Sequence, residues 1–129
     1  MNDENDILKI HDKWLALEES GNTLEVLDLC DRDVAWLVPG SGMLKGIDEV
    51  RSFLGSQSGA TIISIDAFDV EVELSGTLAV KKARFCTTLM DGASELQVKG
   101  AHIWTLRKND ESNQWQVASV AWSIDDGCP

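Results

Sequence analysis

Residues 78–124 read LAVKKARFCTTLMDGASELQVKGAHIWTLRKNDESNQWQVASVAWSI, and the fold follows from this stretch. It divides into three extended segments, Leu78 to Met90, Glu95 to Arg107 and Gln114 to Ile124. Asp91-Gly92 joins the first two, and this dipeptide favours a tight hairpin because its residues tolerate the positive φ that the turn requires. The polar run from Lys108 to Asn113 separates the second from the third. Upstream, Thr61 to Leu74 is also extended: Val70, Val72 and Leu74 alternate with Glu71 and Glu73, and Ser75-Gly76 supplies the turn that follows. Such a succession of hairpins predicts an antiparallel sheet.

The first third of the chain has a different period. From Asp6 to Glu19 the apolar residues Ile7, Ile10, Trp14 and Leu17 fall on one helical stripe. Asp3 to Asp6 supplies capping groups, and Gly21-Asn22 stops the helix. Thr23 can cap a second short helix, Leu24 to Cys30. Val34 to Val38 reads as a strand, and a third helix spans Ile47 to Leu54 with Val50, Phe53 and Leu54 apolar. Helices followed by hairpins predict an α+β domain covering 1–129, with the helices on one face of the sheet.

The last two strands look apolar on both faces. In residues 99–107, His102, Trp104 and Leu106 share one face and Ala101, Ile103 and Thr105 the other. In the final strand, strict alternation puts Trp115, Val117, Ser119, Ala121 and Ser123 on one face, and Val120, Trp122 and Ile124 on the other. Three short helices cannot cover both faces, so self-association as a homodimer is expected, with Val120, Trp122 and Ile124 at the interface.

Charge narrows the partners. Lys+Arg number 11 against 22 Asp+Glu, a net charge of −11 that repels phosphate, so neither nucleic acid nor an anionic membrane surface is expected as a partner. No apolar run approaches the roughly 20 residues of a membrane span. The acidic start, Met1-Asn-Asp-Glu-Asn-Asp6, is unlike a signal peptide, so a cytoplasmic location is expected. Cys30, Cys86 and Cys128 form no CxxC pair; the first two read as buried thiols and Cys128 as part of an exposed tail. His11, beside Asp12, reads as a surface residue, and its distance in sequence from His102 argues against a metal site. Gly40-Ser-Gly42-Met-Leu-Lys-Gly46 misses the GxGxxG spacing by one place and reads as a loop, so no cofactor is expected.

Trp14 with Gly21-Asn22, Asp33-Val-Ala-Trp36, Gly46-Ile-Asp-Glu-Val-Arg-Ser-Phe53, Trp104-Thr-Leu-Arg-Lys108 and Trp115-Gln-Val-Ala-Ser119 occur in a familiar order. In these motifs the chain resembles the nuclear transport factor 2-like superfamily, in its SnoaL-like and ketosteroid isomerase-like branch. The resemblance implies a strongly curved antiparallel sheet wrapped over three N-terminal helices, a cone open into an apolar pocket. It also implies dimers formed through the outer sheet face. The positions matching the isomerase base, phenol and protonated acid hold Leu37, Trp14 and Trp104, and none of these moves a proton. Where SnoaL-like relatives carry histidines on the last strand, this chain has Ser119 and Ala121. An epoxide hydrolase-like Asp-Arg-Asp set could be drawn only from Asp69, Arg84 and Asp33, which no motif brings together.

Three functions remain open at this stage. One is binding of a small apolar molecule by Trp14, Trp36, Phe53, His102, Trp104 and Ser119. Another is an isomerase, cyclase or hydrolase using His102. The third is a homodimeric association module without catalysis.

Overall fold

The structure, a computed structural model, describes residues 2–57 and 61–125. Helix α1 (Asp3–Glu19) is followed by a 3₁₀ helix (Thr23–Leu29), strands β1 (Cys30–Val38) and β2 (Gly42–Lys45), and helix α2 (Ile47–Ser56). Four long strands complete the chain: β3 (Thr61–Ser75), β4 (Leu78–Asp91), β5 (Ser94–Lys108) and β6 (Trp115–Ile124). Cys128 lies outside the described residues.

Local chemistry sets the helix ends. The Asn2 side chain accepts from the backbone N–H of Asn5 at 3.2 Å and caps α1. At the other end Gly21 takes φ +83° and Asn22 N–H returns to the Leu17 carbonyl at 2.8 Å, which satisfies a terminal acceptor. The Asp3 carboxylate accepts from Trp115 Nε1 and from Lys108 Nζ, each at 3.1 Å, and so ties the start of α1 to the far end of the chain. The second helix is a 3₁₀ turn rather than an α-helix.

One sheet holds all six strands in the order β2-β1-β6-β5-β4-β3. The hairpin strands pair antiparallel, but β1 pairs parallel with β6, so the sheet is mixed and the purely antiparallel expectation is corrected. Short turns force antiparallel neighbours, whereas β1 reaches β6 across the whole middle of the chain and is free of that constraint. The loop expected at residues 40–46 contains β2, which pairs with β1 as an edge strand.

A bulge in β6 changes the faces. Thr105 pairs with Ser119 and Leu106 with Val117, which leaves Ala118 without a partner. An extra residue of this kind reverses the alternation beyond it. Trp115 and Val117 before the bulge, and Val120 after it, are therefore all buried on the concave side. The final strand is not apolar on two faces: Val120, Trp122 and Ile124 share the concave side, where Val120 is buried, Trp122 half-buried and Ile124, at the strand's end, exposed.

The core lies between α1, the 3₁₀ helix, α2 and the concave face. Ile7, Trp14, Val34, Trp36, Val50, Trp104, Leu106 and Val117 are among its buried members. Gly100 is needed where β5 is crowded, because a Cβ there would overlap the Ser123 carbonyl and press on the Phe85 ring. Among the described residues no helix is long and apolar enough to cross a membrane.

Candidate functional site

A cavity of about 320 Å³ opens between α1 and the concave face. Its walls include Trp14, Trp36, Trp104 and Trp122, together with His102 and the carboxyl-bearing Glu18. The rings form a connected set. Trp14 lies 4.6 Å from Trp104 and 5.6 Å from Trp36, centroid to centroid. Trp36 and Trp122 meet nearly at right angles, 5.9 Å apart. His102 stacks on Trp104 at 5.3 Å and 15°, and on its other side runs close to parallel with Phe85 at 6.1 Å. Contacts of this offset and edge-to-face kind suit the ring quadrupoles.

The structure divides the residues singled out in the sequence. Trp14, Trp36, His102 and Trp104 reach the cavity. Phe53 packs on the core from α2 and is not part of the cavity wall. Ser119 shares a 2.6 Å hydrogen bond with Thr105 and faces away from the cavity, because it sits at the bulge. Val120, Trp122 and Ile124, assigned above to an outer interface, belong to the cavity wall. Leu37 points outward, between the inward Trp36 and Val38. Arg84 and Asp69 pair at 3.3 Å on the exposed side, while Asp33, also exposed, folds back on its own turn with its N–H 2.9 Å from Asp31 Oδ1. That hydrolase-like set is not assembled.

Beneath the Trp104 ring lies a polar cluster that sequence reasoning missed. Lys81 is 0% exposed, its Nζ 3.3 Å from the Trp104 ring centroid and 2.5 Å from His11 Nδ1. His11 is buried, not on the surface, because α1 turns it inward one turn before Trp14. Burial pulls the Lys81 amine down to about 7, against the pull of the Asp12 and Glu18 charges. Burial first, then the Lys81 charge, lowers His11 to about 4. Burial, then Lys81 and His11, lowers His102 to about 3. His102 is thus a neutral imidazole at physiological pH and a weak base, and its buried Nε2 has no hydrogen-bond partner among the described residues. Trp36 Nε1 is also buried without one, with the Cys30 sulfur as its neighbour. Among the described residues no three His, Cys, Asp or Glu side chains converge as metal ligands would.

Glu18 is the other missed residue. It follows Trp14 by one helical turn and completes the stripe His11, Trp14, Glu18 along one face of α1. Burial raises its carboxyl to about 7, although the Trp14 indole N–H and the Lys81 charge pull the other way. A carboxyl of that kind exchanges its proton near neutral pH, which His102 does not. The signal was present in the sequence as an acid at helical spacing from two inward aromatic rings.

No family model matches the chain, and no curated protein matches it. Solved structures do. An NTF2-like protein with a cystatin-like fold from Novosphingobium aromaticivorans superposes with a TM-score of 0.79 at 17% identity, over 97% of this chain and 83% of that one. A hexachlorocyclohexane dehydrochlorinase from Novosphingobium barchaimii does so with 0.80 at 12% identity, over 95% and 86%. The CamKII hub homology domain of Chlamydamonas reinhardtii gives 0.80 at 16% identity, over 98% and 100%. One is described as an enzyme and one as a hub domain, so the shared architecture does not carry a single function. Helices, mixed six-stranded sheet and interior cavity together place this chain in the nuclear transport factor 2-like fold.

Proposed function

We propose that the protein binds a small, largely apolar molecule in the cavity between α1 and the concave sheet face. The observation that carries this is the cavity itself: about 320 Å³ walled mainly by indole rings and aliphatic side chains, with one carboxyl among them. Small-molecule sites have this composition, apolar walls with few polar groups. Catalysis through His102 as a general base has less support, because its imidazole is held neutral and weakly basic. Titration with naphthalene, followed by tryptophan fluorescence, tests the proposal. Saturable quenching is expected, and Val98→Trp, which places a large ring in the cavity wall, should abolish it. Quenching that never saturates, or that is indifferent to Val98→Trp, would remove the proposal.

A second reading, association as a homodimer, is favoured by the convex face. Met43, Leu37, Ala121, Ile103, Lys82 and Glu71 stand side by side across the six strands. Leu37 and Ile103 are 47% and 49% exposed. An apolar stripe of this kind suits a second copy of the same surface related by a two-fold axis. Sedimentation at micromolar concentration tests this: a monomer would dispose of it.

A further inference from the structure

Building on small-molecule binding in the cavity, we propose that the ligand carries an alkylated ammonium group, with the Glu18 carboxylate as its counter-charge and the indole rings of the cavity wall as its cage. Three independent observations converge. Four of the five tryptophans of the chain line this one cavity. Indole faces are the best aromatic partners for a cation, and an alkylated ammonium, weakly hydrated, loses little on leaving water. The near-perpendicular Trp36–Trp122 pair gives the wall rings of differing orientation, with Trp14 lying over Trp36.

The second observation is charge. Among the described residues Glu18 is the only acidic side chain in the cavity wall. The groups that act on it are Lys81 from β4, and Trp14 and Glu19 from α1. Lys81 is set below the Trp104 ring and bonded to His11, outside the cavity wall, and its charge offsets only part of the burial cost of the carboxylate. His102, across the cavity on β5, is neutral. The carboxyl is pushed up to about 7 mainly by burial, which the Trp14 indole N–H and the Lys81 charge offset only in part, so a further cation in the cavity would stabilise its ionised form. A ligand ammonium would supply it, and would also favour the neutral form of Lys81. Third, the net charge of −11 draws cations toward the protein and repels anions.

The test uses the full chain, with benzyltrimethylammonium as the cationic probe and neopentylbenzene as its uncharged isostere. Binding is read by tryptophan fluorescence and calorimetry. At pH 8 the cation should bind at least about tenfold more tightly than the isostere. Its affinity should rise about tenfold from pH 6 to pH 8 as Glu18 ionises, while that of the isostere stays level. Glu18→Gln should erase the preference, and Glu19→Gln on the neighbouring position should keep it. If the isostere binds as well as the cation, the ammonium assignment is overturned and apolar binding stands. If neither probe binds, both fall. Should Glu18→Gln fail to fold, the pH profile of the unaltered chain decides: a level profile for the cation overturns the assignment.

Discussion

Lys81 and Lys82 are neighbours in β4, yet the two faces of the sheet treat them in opposite ways. Lys81 turns to the concave side, where it is 0% exposed and packed between His11 and the Trp104 ring. Lys82 turns to the convex side, where its side chain is 43% exposed and its Nζ lies 3.9 Å from the carboxylates of Glu71 and Glu73. Water and salt screen the second lysine, and exposed pairs of that kind are worth about 0–1 kcal/mol. The first has no such relief, and burial drives its amine toward the neutral form. The concave face therefore holds titratable groups in unusual states among packed rings. The convex face carries ordinary solvated charge around an apolar stripe.

The largest effect should come from the packed side. Trp104 is 2% exposed and touches Trp14, His102, His11 and Lys81, so Trp104→Ala leaves a void and uncovers the buried amine. A loss of about 3–5 kcal/mol is expected in urea unfolding. Lys82→Met, on the convex side, should stay within about 0.5 kcal/mol of the parent. Equal losses for the two substitutions would end the contrast between the faces.

A pH series sharpens it. Lys81 titrates at about 7 in the folded chain against 10.5 as its ordinary value. Between those values the unfolded chain holds a proton that the folded chain has lost, so stability rises with pH through that window. Glu18 and the two histidines change charge at or below about 7, and the Cys30 thiol, pushed up by burial, opposes the trend increasingly from about pH 8.5. From pH 7.5 to 8.5 the rise should approach about 1 kcal/mol per pH unit. Lys81→Met should flatten it, and Lys82→Met should leave it intact. A slope that survives Lys81→Met would show that some other group carries the proton.

Local signals made most of the fold legible. Asp91-Gly92, Gly21-Asn22 and the stripe Ile7, Ile10, Trp14 are short-range patterns whose physics is contained in a few residues. The parallel pairing of β1 with β6 is not of that kind, because nothing near either strand specifies which direction its distant neighbour runs. The bulge at Ala118 left no mark either. Alanine and serine fit a bulge as well as a strand, and one unnoticed residue sent Val120, Trp122 and Ile124 to the wrong face. His11 and Lys81 were misplaced or overlooked because a charged neighbour suggests solvent. What makes room for the lysine is Ala79 and Ala83, both buried, on either side of it in β4. Glu18 was readable in principle, since helical spacing from His11 and Trp14 puts it on their face.

The smallest effect on folding, and the clearest on assembly, belongs to Ile103. Its side chain is half exposed on the convex face, next to Ala121 and one strand from Leu37. In a lone chain Ile103→Glu places a carboxylate in water, which should change unfolding by no more than about 0.5 kcal/mol. In a homodimer built on this face the same carboxylate would be buried without a partner, a cost large enough to separate the copies. Sedimentation of the variant at micromolar concentration should then show monomers where the parent shows dimers. Trp122→Glu should give the contrasting result, because its ring belongs to the cavity wall: stability should fall, while the convex face proposed to join the copies is unaltered. If Trp122→Glu separated well-folded copies and Ile103→Glu did not, the association surface would lie elsewhere than on the convex stripe.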